Sequence, residues 1–300
     1  MPKPLALAVL LAAVPLLAAG PLPAPQIFAP GVISGPANDG APTFTPDGKT
    51  LYFERGGGSW TFILTSRKTG DAWSAPEIAP FSGQWSDSQP ALSPDGSRLV
   101  FQSSRPSMRE SALWEVERRG AGWSDPVRLP ATVNFTARVF KPSLAADGTL
   151  YFMAQPKSDA TWRLYRCALV HGAYAAAEPL AFSDGAHGDV DPAIAPDQSF
   201  LIFSSSGRAA ADDAHEHLYL VRRAGAGWGA IVPLRYDDDY AKNPADDGEA
   251  NLSPDLHTLY FISGRTVHIS PARTRAEAAA DFARVNAWDN SNNNVWTLPL

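Results

Sequence analysis

One short unit occurs five times in this chain at nearly regular intervals. Its second copy reads Gln89-Pro-Ala-Leu-Ser-Pro-Asp-Gly96 and continues to Leu99-Val-Phe101. The turn aspartates of the five copies are separated by 48, 52, 50 and 58 residues, and they are Asp47, Asp95, Asp147, Asp197 and Asp255. A period near 50 residues with several short strands per unit is typical of a β-propeller, in which each unit forms one blade.

Each part of the unit has a structural reason. A proline near the start of the first strand, such as Pro90, cannot donate a ladder hydrogen bond, so this strand is predicted to be an edge. The Asp-Gly pair supplies the positive φ of a tight hairpin into the second strand. Gln198 and Leu256 replace this glycine in the fourth and fifth copies, which predicts either another turn type or strain. The Leu-x-Phe pair and its alternating neighbour make both faces of the sheet apolar, as packing between two blades requires.

The chain length indicates five blades. Residues 25–300 are predicted to form a single propeller domain, with an insertion at 266–291 that contains one helix near 272–286. The fifth copy ends with a third strand at Val295 to Leu298 and has no fourth. Pro25-Gln-Ile-Phe-Ala-Pro30 has the pattern of the fourth strand Ala75-Pro-Glu-Ile-Ala-Pro80. We therefore predict that the N-terminal segment completes the fifth blade and closes the ring.

The first twenty residues have the pattern of a secretory signal peptide. Lys3 precedes an apolar run from Leu5 to Ala19, and the predicted cleavage point lies between residues 18 and 24. The protein is therefore expected to be periplasmic or secreted, and not membrane-spanning after processing. Cys167 is the single cysteine, so no internal disulfide can form, and a buried strand residue is the preferred interpretation.

The charge balance argues against a nucleic-acid partner. The chain has 25 basic and 31 acidic residues, which gives a formal net charge of −6, and no basic stripe stands out against it.

The Pro-x-x-Ser-Pro-Asp-Gly-x-x-Leu-x-Phe unit, at 42–53, 90–101 and in weaker form at 142, 192 and 250, resembles the TolB-like (WD-repeat-like) β-propeller repeat of exported bacterial proteins. This resemblance spans nearly the whole chain after the leader. It implies a periplasmic or surface propeller that binds other proteins or envelope ligands, usually without catalysis. The Gly-His and Trp-Asp dipeptides of true WD repeats are absent in register, and no Gly-x-Ser-x-Gly elbow of a hydrolase is present.

Length variation is concentrated in the connections that emerge on one face of the predicted propeller, where binding usually occurs. Four copies carry an aspartate on this face and an arginine after the second strand: Asp39 with Arg55, Asp87 with Arg105, Asp189 with Arg208, and Asp247 with Arg265. The third copy has Val139 and Ala154-Gln155-Pro156 at these places. Joint loss of both partners predicts an ion pair within each of the other blades. Any ligand is then expected beside the third unit, near Arg138 and Lys141.

Two other groups of residues are candidate ligand sites. Asp212-Asp-Ala-His-Glu-His217 places His215 and His217 close in sequence, with His187 in the preceding loop, which are weak candidates for zinc or copper. Asp237-Asp-Asp239 with Asp246-Asp247 lacks the spacing of a calcium loop. Solvated polar loops are the preferred interpretation, and no metal or cofactor is assigned. Asn134-Phe-Thr136 matches a glycosylation sequon.

A non-catalytic binding scaffold for a protein or envelope ligand is the leading functional hypothesis. The alternative is a carbohydrate-active propeller, either a glycosidase or a lectin-like module. Glu54 and Glu249, with Asp39 and Asp189, are the candidate carboxylates for hydrolysis. Aspartates at equivalent positions of repeated units argue against it, because catalytic carboxylates need different environments to acquire different pKa values.

Overall fold

Five antiparallel sheets, one for each copy of the repeat, surround a common axis in the computed structural model, which describes residues 22–57, 60–106, 111–208, 215–235, 245–265, 276 and 293–300. The innermost strands contact one another in a closed ring, from the first blade round to the fifth and back to the first. The fold is therefore the predicted five-bladed β-propeller. Apart from Ala276, the predicted helix at 272–286 lies outside the described residues, as does the predicted signal peptide at 1–20.

Each blade begins at the axis and adds strands outwards. The innermost strands are β2 (Asn38–Phe44), β7 (Asp87–Leu92), β12 (Val139–Leu144), β18 (Gly188–Ile194) and β22 (Asp247–Leu252). The second strands are β3 (Thr50–Gly57), β8 (Arg98–Ser103), β13 (Leu150–Ala154), β19 (Phe200–Ser206) and β23 (Thr258–Ser263). The third strands are β4 (Trp60–Thr69), β9 (Ala112–Arg119), β14 (Arg163–Cys167), β20 (Glu216–Ala224) and β24 (Asn294–Pro299). All five innermost strands are sheet edges, as their proline pattern predicted.

The outer part of each blade is built from shorter pieces. Blade 1 has β5 (Ala72–Trp73) and β6 (Glu77–Ile78), and blade 2 has β10 (Gly122–Trp123) and β11 (Val127–Arg128). Blade 3 has β17 (Glu178–Pro179) beside a hairpin of β15 (Leu169–Val170) and β16 (Ala173–Tyr174), and blade 4 has β21 (Gly227–Pro233). Within the described ranges, no helix has the length and hydropathy needed to cross a membrane.

The N-terminal segment closes the ring. β1 (Gln26–Ile27) pairs antiparallel with the C-terminal strand β24, with Gln26 opposite Thr297 and Ile27 opposite Trp296. The Phe28 N–H adds a hydrogen bond of 2.8 Å to the Val295 carbonyl. The outermost strand of blade 5 therefore comes from the opposite end of the chain, as predicted, and the two ends are held in one sheet.

The turns between first and second strands are uniform. Each contains five residues, at 45–49, 93–97, 145–149, 195–199 and 253–257. Gln198 and Leu256 have φ values of 60° and 61°, close to the 66° of Gly48. The prediction of strain is therefore correct, since these two residues adopt the left-handed conformation at a cost of about 1–2 kcal/mol each, and a different turn type is not used. Gln198 is held there by a hydrogen bond of 2.8 Å from the Tyr151 hydroxyl.

The hydrophobic core lies between adjacent blades. The Leu and Phe side chains of the repeat are at most 1% exposed in all five second strands, as in Leu51 and Phe53. Tyr151 and Ile202, on the opposite face, are buried against the next blade. Both faces of the sheets are therefore apolar, as predicted. Cys167 is buried in the core between blades 2 and 3, and burial raises the pKa of its thiol to about 12.

Candidate functional site

Four buried ion pairs lie where the innermost strands begin. Arg55 Nε is 2.5 Å from Asp39 Oδ1, and Arg208 Nη2 is 2.7 Å from Asp189 Oδ2. The other two pairs, Arg105 with Asp87 and Arg265 with Asp247, are both 3.0 Å apart. The four aspartate side chains have no exposed surface. The predicted pairing within blades is confirmed. It includes blade 1, where the arginine follows the phenylalanine of the second strand by fewer residues than in the other blades.

The register of the strands explains why the arginine of blade 1 lies closer in sequence to the phenylalanine than the other three arginines do. Arg55 is the direct cross-strand partner of Asp39, whereas in the other three blades a serine occupies that place. In blade 4 the Ser205 hydroxyl donates to Asp189 Oδ1 at 2.7 Å, and Arg208 approaches from beyond it. Sequence comparison did not identify this serine, although it recurs two residues after the phenylalanine of the second strand in blades 2, 4 and 5.

These arginines also hold the loop that enters each blade. Arg55 Nη2 donates to the Ile33 carbonyl at 2.8 Å, and Arg105 Nη2 donates to the Phe81 carbonyl at 3.0 Å. Burial raises the pKa of Asp39 and of Asp87, while their hydrogen bonds and arginine partners oppose the shift. Burial likewise raises the pKa of Asp247, to about 6. The pairs therefore tie consecutive blades together, and their carboxylates lie away from solvent.

Blade 3 replaces this arrangement with an apolar pair. Val139 lies directly opposite Ala154 in the sheet, and both are fully buried. This substitution removes both charges, so no unpaired charge is left in the interior.

A second polar cluster lies at the axis. It contains the sequence-predicted candidates Glu54, Lys141 and Glu249. Every innermost strand has a β-bulge, and the first bulge residue has a φ between 44° and 54°: Ala41, Gln89, Lys141, Asp191 and Glu249. A bulge leaves a backbone N–H outside the ladder. Side chains from neighbouring blades accept several of these hydrogen bonds, as described next.

The axial cluster forms a relay of hydrogen bonds between blades. Glu54 Oε2 accepts from the Gln89 N–H at 2.6 Å, and Gln89 Oε1 accepts from the Lys141 N–H at 2.9 Å. Asp191 Oδ2 accepts from the Glu249 N–H at 2.8 Å, and Gln89 Nε2 donates to Glu249 Oε1 at 3.0 Å. The signal for these residues was available in the sequence, because the position before the strand proline is polar in four of five copies.

Lys141 is the one lysine or arginine in this cluster among the described residues. Its side chain is fully buried, and Nζ donates to the Ala250 carbonyl at 3.2 Å. Burial lowers the pKa of Lys141, while Glu249, Asp191 and Glu54 raise it. Lys141 therefore balances carboxylates from three other blades and does not lie at an exposed surface beside Arg138.

The carboxylates at the axis outnumber this cation. Burial raises the pKa of Glu54 well above its usual value, with the charge of Glu249 adding to the effect. Burial, then the charge of Asp191, raises the pKa of Glu249 to about 7. Burial raises the pKa of the half-buried Glu216 to about 8, with smaller contributions from Asp191 and Asp246. The pKa values of Glu249 and Glu216 therefore lie near neutral pH, well above those of exposed glutamates.

Two glycines make room for the axial acids. A Cβ at Gly40 would overlap Glu249 Oε2, and a Cβ at Gly248 would lie 2.9 Å from Asp191 Oδ2. Glu249 Oε2 is buried without a hydrogen-bond partner among the described residues. The first strands of blades 1 and 5 thus carry glycine beside the bulge because a neighbouring carboxylate occupies the space of a side chain.

The remaining candidate residues are dispersed. Arg138 is exposed, and its guanidinium carbon lies 4.4 Å from the centroid of the Trp162 ring. His187 lies beside Gly207, and His215 Nδ1 is 3.3 Å from Asp246 Oδ1. In the part of the chain that the structure describes, no group of three His, Cys, Asp or Glu side chains is arranged to hold a metal. The described residues exclude Asp212, Asp213 and 237–239.

The sequon at Asn134 has a structural role. Asn134 Nδ2 donates to the Leu113 and Leu129 carbonyls at 3.0 and 2.8 Å, and Oδ1 accepts from the Leu113 N–H. The amide nitrogen that glycosylation would modify is therefore engaged in joining the loop to blade 2.

No protein-family model matches this sequence, and no curated protein matches it. Solved structures do match. An α-L-arabinofuranosidase from Lactobacillus brevis is 11% identical with a TM-score of 0.57, over 90% of this chain and 92% of that chain. A gluconolactonase, XC5397 from Xanthomonas campestris, is 14% identical with a TM-score of 0.52, over 94% and 97%. TolB from Acinetobacter baumannii is 12% identical with a TM-score of 0.52, over 88% of this chain and 55% of that chain.

These similarities show the propeller fold alone, because all three identities are below 25%. This chain spans about half the length of the Acinetobacter TolB. The neighbours include enzymes as well as a TolB protein, so one architecture serves different functions. The TolB-like character of the propeller is supported at the level of the fold, and no family model assigns the repeat itself.

Proposed function

We propose that this protein is an exported, non-catalytic scaffold that binds a protein or an envelope ligand through the face that carries its long loops. One observation carries the proposal. The turns between first and second strands have five residues in every blade. The connections between second and third strands, on the opposite face, differ in length, from two residues in blade 1 (58–59) to thirty in blade 5 (264–293). Functional residues are concentrated on variable loops that a rigid frame positions, so ligand binding is expected on the long-loop face.

The burial and pairing of the candidate carboxylates support a scaffold function. The four aspartates at the loop-bearing face are each bound to an arginine and buried, and Asp191 and Glu249 accept hydrogen bonds within the axial relay. These groups stabilise the ring of blades. The predicted leader at 1–20 and the resemblance to exported TolB-like propellers support a periplasmic or secreted location.

Site-specific photo-crosslinking in the organism of origin tests the proposal. A photoreactive residue replaces Gln84 or Asp184, which are exposed on the loop-bearing face, or Lys49 or Asp197, which are exposed on the turns of the opposite face. We expect adducts from Gln84 or Asp184 and none from Lys49 or Asp197. Adducts from the opposite face alone, or from none of the four positions, would contradict the proposal.

A carbohydrate hydrolase is the second candidate, and one feature of the axis favours it. Glu54 lies on a second strand and Glu249 at a bulge, so the two carboxylates have different surroundings and both have raised pKa values. A buried carboxylic acid with a raised pKa can donate a proton near neutral pH, as the general acid of a glycosidase does. A panel of polysaccharides assayed with the full chain tests this candidate. Turnover that is lost in Glu54→Gln and Glu249→Gln and kept in the exposed Glu117→Gln would support hydrolysis over the scaffold.

A further inference from the structure

Blade 3 presents a cluster of aromatic and basic side chains on the loop-bearing face. The Arg138 guanidinium lies over the Trp162 ring, and Trp162 meets Phe140 edge to face at a centroid distance of 5.4 Å. Phe135 precedes Arg138 in the same loop and is 40% exposed. Tryptophan, phenylalanine and arginine are enriched in protein interfaces, so the composition of this surface is typical of a docking site.

Phe135 differs from the other exposed apolar residues. Among the described residues, the remaining large exposed hydrophobic side chains are Ile78, Val127, Val170 and Val232, and all four lie on outer strands of the blades. Phe135 instead lies on a loop, where it packs against Tyr165 at a centroid distance of 5.0 Å. The adjacent Asn134 amide anchors this loop to blade 2. Phe135 is thus held in an exposed position by a fixed loop.

The charge of this surface is opposite to that of the chain. Arg138 and Lys157 are both exposed, and no carboxylate among the described residues forms an ion pair with either. The nearby Asp159 is 3.7 Å from Arg163 and is therefore already engaged. In the other four blades the arginine that follows the second strand is bound to a buried aspartate, whereas Arg138 lies in the loop before the first strand of blade 3 and has no such partner among the described residues. Arg138 lies in the same loop as Phe135, and the loop of Lys157 adjoins it, because the Gln155 N–H donates to the Arg138 carbonyl at 3.1 Å. A chain with a net charge of −6 thus exposes two cations in adjoining loops on this face.

We propose that a protein partner docks on this blade 3 surface, formed by Phe135, Arg138, Lys157 and Trp162, through an acidic segment that also carries an apolar side chain. Carboxylates of the segment pair with Arg138 and Lys157, and its apolar side chain packs on Phe135 and Trp162. Charge complementarity favours this partner, because the two exposed cations attract an acidic segment although the chain as a whole has a net charge of −6. This inference rests on the proposed scaffold function and adds the location and the chemistry of the partner.

Binding of two synthetic peptides to the full chain tests the charge preference. One short peptide is acidic with two phenylalanines, and the other has lysine in place of every acidic residue. We expect the acidic peptide to bind, with fluorescence anisotropy showing at least a tenfold loss of affinity in Arg138→Glu and in Lys157→Glu. Lys68→Glu makes the same change in net charge at an exposed residue of the opposite face and is expected to leave binding unchanged. Preference for the lysine peptide, no binding of the acidic one, or an equal loss in Lys68→Glu would overturn the inference.

Trp162→Ala is expected to weaken the acidic peptide similarly, and thermal unfolding of the variant checks that its fold is kept. Lys157 is exposed, so Lys157→Glu remains informative if Trp162→Ala unfolds. A photoreactive residue at Lys157 separates this inference from the scaffold function. Adducts from Asp184 but none from Lys157 would overturn the blade 3 site and leave the scaffold standing, whereas adducts from no loop-bearing position would contradict both.

Discussion

Blade 3 and the other four blades solve the same packing problem with different chemistry. Blades 1, 2, 4 and 5 place a buried aspartate and arginine where the incoming loop meets the innermost strand. Blade 3 places Val139 opposite Ala154 at that point. Neither an ion pair nor an apolar pair leaves an unpaired charge in the interior, whereas one charged residue without its partner does. The comparison explains why the two residues are lost together.

The largest expected effect comes from removing the closing segment. Arg55 binds the Val32 and Ile33 carbonyls, and β1 supplies the outer strand of blade 5, so a chain that begins at Gly35 loses both. We expect this truncation to aggregate or to lose cooperative unfolding, because the edge of β24 becomes exposed. Calorimetry and light scattering measure both properties, and a chain that begins at Leu22 is the control. An unchanged melting temperature would refute closure by the N-terminal segment.

Breaking one ion pair is expected to cost about 3–5 kcal/mol of unfolding free energy, because the partner is left as a buried charge. Asp189→Ala is the sharpest case, since Arg208 contacts both carboxylate oxygens of Asp189. The exposed Asp184→Ala in the same loop is the control and is expected to change stability by no more than about 0.5 kcal/mol. Urea unfolding compares the two. Equal stability of both variants would show that the pair does not tie the blades.

Raising the pH from 5 to 8 is expected to lower the melting temperature by a few degrees. The pKa values of Asp247, Glu249 and Glu216 are raised by burial to about 6, 7 and 8, above their values in the unfolded chain. The folded state therefore binds more protons, and the associated stability is present at low pH and lost as the pH rises through these values.

Glu216→Gln is expected to flatten this pH dependence, and the exposed Glu117→Gln is expected to preserve it. Melting curves recorded across the range supply the comparison. A melting temperature that rises from pH 5 to pH 8 would contradict the raised pKa values of these buried acids.

The smallest effect is expected from converting blade 2 to the chemistry of blade 3. Asp87→Val, Ser103→Ala and Arg105→Leu together remove the pair and its serine, and we expect a change within about 1 kcal/mol, because no charge is stranded. The single change Asp87→Val is the contrasting variant and is expected to cost several times more. A combined variant as unstable as the single one would show that the apolar pair of blade 3 does not substitute for the ion pair.

Much of the architecture was readable from the repeat. The Asp-Gly turns, the strand prolines and the Leu-x-Phe pairs predicted five blades, and the likeness of Pro25–Pro30 to Ala75–Pro80 predicted the closure. The four ion pairs were also predictable, because a charged residue that must be buried is present or absent together with its partner. These features are local or repeat with the unit, and pattern alone exposes them.

The axial cluster was decided by the tertiary structure. Glu54, Lys141, Asp191 and Glu249 are far apart in sequence and come from four blades, and only closure of the ring brings them together. The sequence predicts a solvated loop around Glu216, yet burial raises its pKa, and the charges of Asp191 and Asp246 add to the shift. Lys141 was assigned to an exposed surface, and a positive φ at the bulge places it in the interior instead. Sequence thus determined which elements form, while the distances between charges at the axis, and with them the protonation of the acids, depended on how five blades meet.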